Sequence, residues 1–123
     1  MEGYSVKIEN TNMELGKREK VLLKDTTNAV KLDEAVTPEK PIVIHPIGYA
    51  VLAIHNEKSD NKDYLQYLVL DDEGTKYTTG SESFWSTFLD IMADMEGEEF
   101  DLKVYKLESK NYSGRYFLTC SIM

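Results

Sequence analysis

Phe84, Trp85, Phe88, Leu89, Ile91, Met92 and Met95 recur at spacings of three and four, the period of one face of an α-helix. Ser86, Asp90, Asp94 and Glu96 fall largely on the other side. The pattern predicts one helix between Thr79 and Gly97. Two residues compete for its N-cap. Thr79 with Glu82 fits a capping box, whereas Ser81 would place Glu82 in the first turn, at the positive end of the helix dipole. Gly97 suits the left-handed position that ends a helix. The apolar stripe is wide and aromatic, and its plainest role is core packing.

On either side of this stretch the period changes. Gly48 to Asn56, GYAVLAIHN, is a nearly continuous apolar run that predicts a strand. A polar turn, Glu57 to Asp63, leads into a second strand, Tyr64 to Leu70. Asp71-Asp72-Glu73-Gly74 predicts a turn with glycine at positive φ, and Lys76 to Thr79 a short third strand. The three form a meander that feeds the helix. Beyond it, Phe100, Leu102 and Val104 alternate with Asp101 and Lys103, a further strand whose adjacent Val104 and Tyr105 predict a bulge. Ser109 to Gly114 reads as a turn. Tyr116 to Ile122 is a closing strand, with Tyr116, Leu118, Cys120 and Ile122 on one face and Phe117, Thr119 and Ser121 on the other.

The first part of the chain is less patterned. Tyr4, Val6 and Ile8 predict a short strand and Asn10 to Asn12 a turn. Lys20 to Lys24 encloses Val21, Leu22 and Leu23, and Asp25 to Asn28 has turn composition. Ala29 to Val36 reads as the second strand of an N-terminal hairpin, with a helical turn over Leu32 to Val36 as the alternative. Thr37 to Pro46 holds all three prolines and predicts an extended segment at a sheet edge, because proline lacks the N–H a central strand donates.

The fold class this implies is mainly β with one helix, in one domain spanning 1–123. The order strand, strand, strand, helix, strand, strand matches an OB-fold-like five-stranded barrel with its helix between the third and fourth strands. Residues 47–123 would be the barrel core and residues 1–46 an N-terminal β extension or edge hairpin. The competing arrangement is an α+β sandwich with the helix across an antiparallel sheet.

Composition narrows the function classes. A single cysteine, Cys120, excludes an internal disulfide and fits a reducing compartment. No apolar run approaches the ~18 residues of a membrane-spanning helix, and the N-terminus has no signal-peptide core. These features place the chain in the cytoplasm. The net charge is −8, unevenly spread: −1 over residues 1–40, −4 over 41–75, −5 over 76–100 and +2 over 101–123. Acidic proteins repel phosphate; the acid lies in the middle turns and on the helix, and the last two strands are basic.

Catalytic chemistry finds little support. His45, His55 and Cys120 lack the short ligand spacing of zinc sites, and Asp71, Asp72 and Glu73 lack that of a calcium loop. Cys120 reads as a buried small hydrophobe. There is no P-loop, GxSxG or GxGxxG. The expectation is a non-enzyme with no cofactor and no metal.

Binding chemistry is better represented. The chain has eight tyrosines, several beside cations. Tyr77 follows Lys76, Tyr105 lies beside Lys106, and Tyr112 stands between Lys110 and Arg115. Single strands are held in this way, with bases stacked on aromatic rings and cations along the backbone. Lys103, Lys106, Lys110 and Arg115 would form a basic ridge. The plainer reading is that tyrosine favours strands anyway and that the cations line a solvated face.

The segment from Gly48 through Ile122 resembles small OB-fold single-stranded-DNA-binding proteins and their relatives from Gram-positive phages and conjugative transposons. The pieces that carry the likeness are GYAVLAIHN, YLQYLVLDDEGTKYTTGS, SESFWSTFLDI and SKNYSGRYFLTCSI. The resemblance implies a strand-face site for single-stranded DNA, mapping onto Tyr67, Tyr77, Tyr105 and the Lys103–Arg115 hairpin. This chain differs from those relatives that carry a separate acidic tail, since its acid lies within the patterned region. A protein-interaction module or acidic decoy, engaging its partner through the Asp71–Glu73 turn and the acidic helix face, is the alternative.

Overall fold

The computed structural model describes residues 3–109 and 114–123. The chain runs β1 (Tyr4–Thr11), α1 (Lys17–Lys24), β2 (Val30–Lys31), α2 (Leu32–Ala35), β3 (Ile42–Ile44), β4 (Pro46–Asn56), β5 (Asp63–Asp71), β6 (Lys76–Thr79), α3 (Glu82–Asp94), β7 (Leu102–Glu108) and β8 (Tyr116–Ile122). It is mainly β, as expected, but has three helices among the described residues rather than one. The strands form a five-stranded sheet, β1-β4-β5-β6-β2, and a three-stranded sheet, β3-β7-β8. These sheets do not close into a barrel.

The meander β4-β5-β6 pairs antiparallel as expected. Its β4 is buried on one face and partly covered by α3 on the other, which is why its sequence is nearly continuous apolar rather than alternating. Tyr49 and Val51 face α3, together with Tyr67 and Val69 of β5. Ala50, Leu52 and Ile54 face the other way, with Leu68, towards Leu23 of α1 and Val6 and Ile8 of β1. The chain therefore has two apolar clusters, one on each side of the large sheet.

α3 is set by its cap and its stripe. Ser81, not Thr79, is the N-cap: its hydroxyl accepts from Phe84 N–H at 3.2 Å. Thr79 instead accepts from Ser81 N–H at 3.0 Å and donates to Asp33 at 2.8 Å. Phe84, Trp85 and Phe88 are buried. Trp85 stacks on Tyr67 with ring centroids 4.8 Å apart, and Tyr49 meets Trp85 edge-on at 5.5 Å. Gly97, at φ +85°, turns the chain away beyond the helix.

β3 and β4 are separated by His45 alone. This extended run pairs with β7 through Ile42–Ile44 and with β5 through Pro46–His55, so it links the two sheets. The proline segment is extended only over residues 41–46, with β3 at an edge; residues 37–40 instead form a tight turn in which Lys40 N–H donates to the Thr37 carbonyl at 3.1 Å.

The N-terminal residues follow expectation in part: the strand at Tyr4, Val6 and Ile8 is β1, and the helical-turn alternative holds at α2, but the hairpin does not form. β1 pairs with β4 and β2 pairs parallel with β6, at opposite edges of one sheet, so they form no hairpin. The apolar triplet Val21-Leu22-Leu23 belongs to α1 and buries only Leu23. No bulge falls at Val104/Tyr105, where the β7–β8 register is continuous. Those neighbours are both apolar because they point to opposite faces. The register shifts lie instead at Ile8/Asn10 and Pro46/Gly48.

No described helix is long and apolar enough to cross a membrane.

Candidate nucleic-acid interface

The β7–β8 hairpin presents two unlike faces because side chains alternate along a strand. Its inner face carries Leu102, Val104, Leu118 and Cys120, all buried. Its outer face carries Lys103, Tyr105 and Leu107, opposite Ser121, Thr119 and Phe117. Val43 of β3 lies opposite Lys103 and extends this face. The Lys103 ammonium sits 5.3 Å from the centre of the Tyr105 ring, within cation–π range. Val43, Leu107 and Phe117 are 55%, 46% and 40% exposed.

The residues expected to form the site do not all meet there. Tyr67 is buried beneath Trp85, on the core side of β5, so neither ring face is open to a base. Burial, with a smaller effect of Glu82, pushes its phenol pKa up. Tyr77 is half-buried against the same cluster. Its hydroxyl donates to Asp71 at 3.4 Å, and burial chiefly raises its pKa. Lys76 caps α1: its ammonium donates to the carbonyls of Leu22, at 2.6 Å, and Asp25. A cation there meets the negative end of the helix dipole. Lys106 lies on the inner register and donates to the Asp33 carbonyl at 2.8 Å, at α2. Arg115 is exposed just before β8, and its carbonyl accepts from Ser109 N–H at 2.7 Å. Lys110 and Tyr112 lie outside the described residues. The structure thus brings Lys103 and Tyr105 together, with Arg115 at the far end of the same hairpin.

Phe117, Leu107 and Val43 were not among the expected site residues. The signal for Phe117 was present: an aromatic on the face of β8 that carries Thr119 and Ser121 rather than the core residues.

The acidic turn is also partly committed. Asp71 is buried and accepts from Glu73 N–H at 3.0 Å and Thr75 N–H at 2.8 Å. It shapes the turn, leaving Asp72 and Glu73 exposed.

The two histidines are each bracketed by carboxylates. His55 lies 2.7 Å from Asp63 and 2.6 Å from Glu57. Its pKa is raised, first by the hydrogen bond to Asp63, then by that to Glu57. His45 lies 3.0 Å from Asp101 and 3.7 Å from Glu99, and its pKa is raised chiefly by Asp101. Among the described residues no three His, Cys, Asp or Glu converge to hold a metal. Cys120 is buried, and desolvation pushes its thiol up to about 12. A thiol so protonated is a poor nucleophile at neutral pH.

No protein-family model, curated protein or solved structure matches the chain.

Proposed function

We propose that this protein is a non-enzymatic single-stranded nucleic-acid-binding protein of OB-like type, belonging to a mobile genetic element. The observation that carries the reading is the Lys103–Tyr105 pair on an exposed sheet face that also bears Phe117. Bases stack on Tyr105 and Phe117, each worth about 1–3 kcal/mol. Lys103 and Arg115 take the phosphates. The remaining acid orients the ligand: residues 76–100 carry −5 and repel phosphate, while residues 101–123 carry +2.

The OB-like assignment draws support from the β3–β4 run, which pairs with β7 at one end and β5 along the other, and from α3 between the meander and the final hairpin. In OB-folds the face of strands 2–3 is a common ligand platform. The corresponding outward face of β5–β6 is covered here, with Leu68 and Thr78 buried. The hairpin face is therefore the better platform in this chain.

Fluorescence anisotropy with labelled oligo-dT, at low and moderate salt and with duplex as control, tests this. The expected result is strand-selective binding that weakens with salt. Its salt slope is shallow, since few cations are available and each contributes roughly −0.7 on single strands. No binding at low salt and high protein concentration overturns it.

The second reading is a protein-interaction module or acidic decoy that binds no nucleic acid. A groove of about 670 Å³ rimmed by Glu96, Glu98 and Glu99 favours it. Under that reading, any DNA signal is indifferent both to salt and to loss of Lys103 or Arg115.

A further inference from the structure

α1 turns two kinds of group to solvent. Lys17, Arg18, Lys20 and Lys24 against Glu19 give its eight residues a net charge of +3. Leu23 is its buried residue. At about 100° per residue, Val21 and Arg18 lie roughly opposite Leu23, with Lys17 and Leu22 flanking them. Val21 and Leu22 are 65% and 59% exposed. Burying them would stabilise a contact, yet they contribute nothing to this chain's own core.

The acidic groove has the complementary character. It runs between the C-terminal end of α3 and the start of β4. Its floor is apolar, built from Ile47, Tyr49, Leu89, Met92 and Phe100. Ile47 is 53% exposed there. From Asp90 to Asp101 the chain has six carboxylates and no lysine or arginine. α3 ends here with no basic residue in its last turn, so its dipole adds to the negative field. His45 sits beside Glu99 and Asp101. Among the described residues, Glu96 and Glu98 have no cationic partner.

We propose that α1 of one molecule docks in this groove of a second copy. Val21 and Leu22 lie on the apolar floor, and Lys17 and Arg18 meet Glu96 and Glu98. Within one chain the helix and the groove lie on opposite faces of the large sheet, since Leu23 packs with Ala50 and Leu52 whereas Tyr49 packs under α3. A molecule therefore cannot fill its own groove. The contact is head-to-tail, leaves one helix and one groove open at the ends of each assembly, and propagates unless the rotation closes a ring. A row of copies suits coverage of an extended single strand. That last clause alone rests on the nucleic-acid reading, and the self-association is tested without nucleic acid.

Sedimentation velocity on the unmodified protein over a concentration series is the experiment. Species larger than a dimer are expected to grow with concentration and to recede as salt screens the charges. The double variants Lys17→Glu/Arg18→Glu and Glu96→Lys/Glu98→Lys alter only exposed positions, and circular dichroism checks that each folds. Each is expected to need at least about tenfold more protein to associate, corresponding to about 1.4 kcal/mol. Mixing the two variants restores assembly, because the reversed helix fits the reversed groove. A protein that stays monomeric at low salt overturns the proposal. So does association untouched by both variants, or a mixture no more associated than its components.

Discussion

Tyr67 and Tyr105 show how much a residue's side of the strand decides. Both lie on strands beside other aromatic or charged residues, and both were candidates for base stacking. Tyr67 is covered by Trp85, 4.8 Å away in a nearly parallel stack. Tyr105 stands on an outer face beneath the Lys103 ammonium. Truncating them should have opposite consequences. Tyr67→Ala is expected to lower stability by about 3–5 kcal/mol in urea unfolding, as loss of a buried aromatic does. Tyr105→Ala should cost under ~1 kcal/mol of stability while weakening oligo-dT binding by about 1–3 kcal/mol. The reverse pattern would contradict the assignment of faces. His55 carries a pH prediction of its own. Its folded pKa is raised above the ordinary 6.5 by Asp63 and Glu57. The folded state holds that proton more tightly, so the contribution is complete below about pH 6.5 and is lost as pH rises through the raised folded value. An NMR titration should place the His55 midpoint above 6.5. His55→Gln should flatten the pH dependence of stability across that window, whereas a midpoint at or below 6.5 would refute the bracket.

At the scale of elements, legibility followed burial. α3 could be read because three of its stripe residues are buried and three more are partly covered, and the period survives in the sequence. β4 could be read because it packs on both faces, fully on one and partly on the other, which leaves a long apolar run. Which side of β5 faces which cluster could not be read, since Leu65, Tyr67 and Val69 are as apolar as Tyr64, Leu68 and Leu70. The side is set by pairing, Val51 opposite Tyr67, which is non-local. α1 was missed because it buries one residue in eight and so shows no apolar period. Its composition of Lys, Arg, Glu and Leu, all good helix formers, was the available signal. The site was legible in part: the charge asymmetry pointed to the final hairpin, but Lys76 and Lys106 are held by carbonyls of α1 and α2 that no local pattern reveals. Lys76 yields a prediction here. Lys76→Met removes the cation from the end of α1, and amides of Lys17–Lys24 should exchange faster with solvent, with a stability loss of about 1 kcal/mol. Unchanged exchange there would show that α1 is held by Leu23 alone.

The whole molecule is divided by charge. Its acid is concentrated between residues 41 and 100, at −9 in sum (−4 and −5), whereas the last 23 residues carry +2. The two sheets are joined through the β3–β4 run and share the cluster around α3, with the β7–β8 hairpin presenting its outer side away from that cluster. On this account the acidic groove and the hairpin face serve different partners, and a nucleic acid meets only the latter. The most direct test is a titration of ¹⁵N-labelled protein with an oligo-dT too short to bridge two copies, followed amide by amide. The account predicts progressive shifts at Lys103, Tyr105, Leu107, Phe117 and Thr119, with the amides from Asp90 to Asp101 unmoved. Shifts confined to α1 or to the groove, or none at all at saturating oligonucleotide, would contradict it.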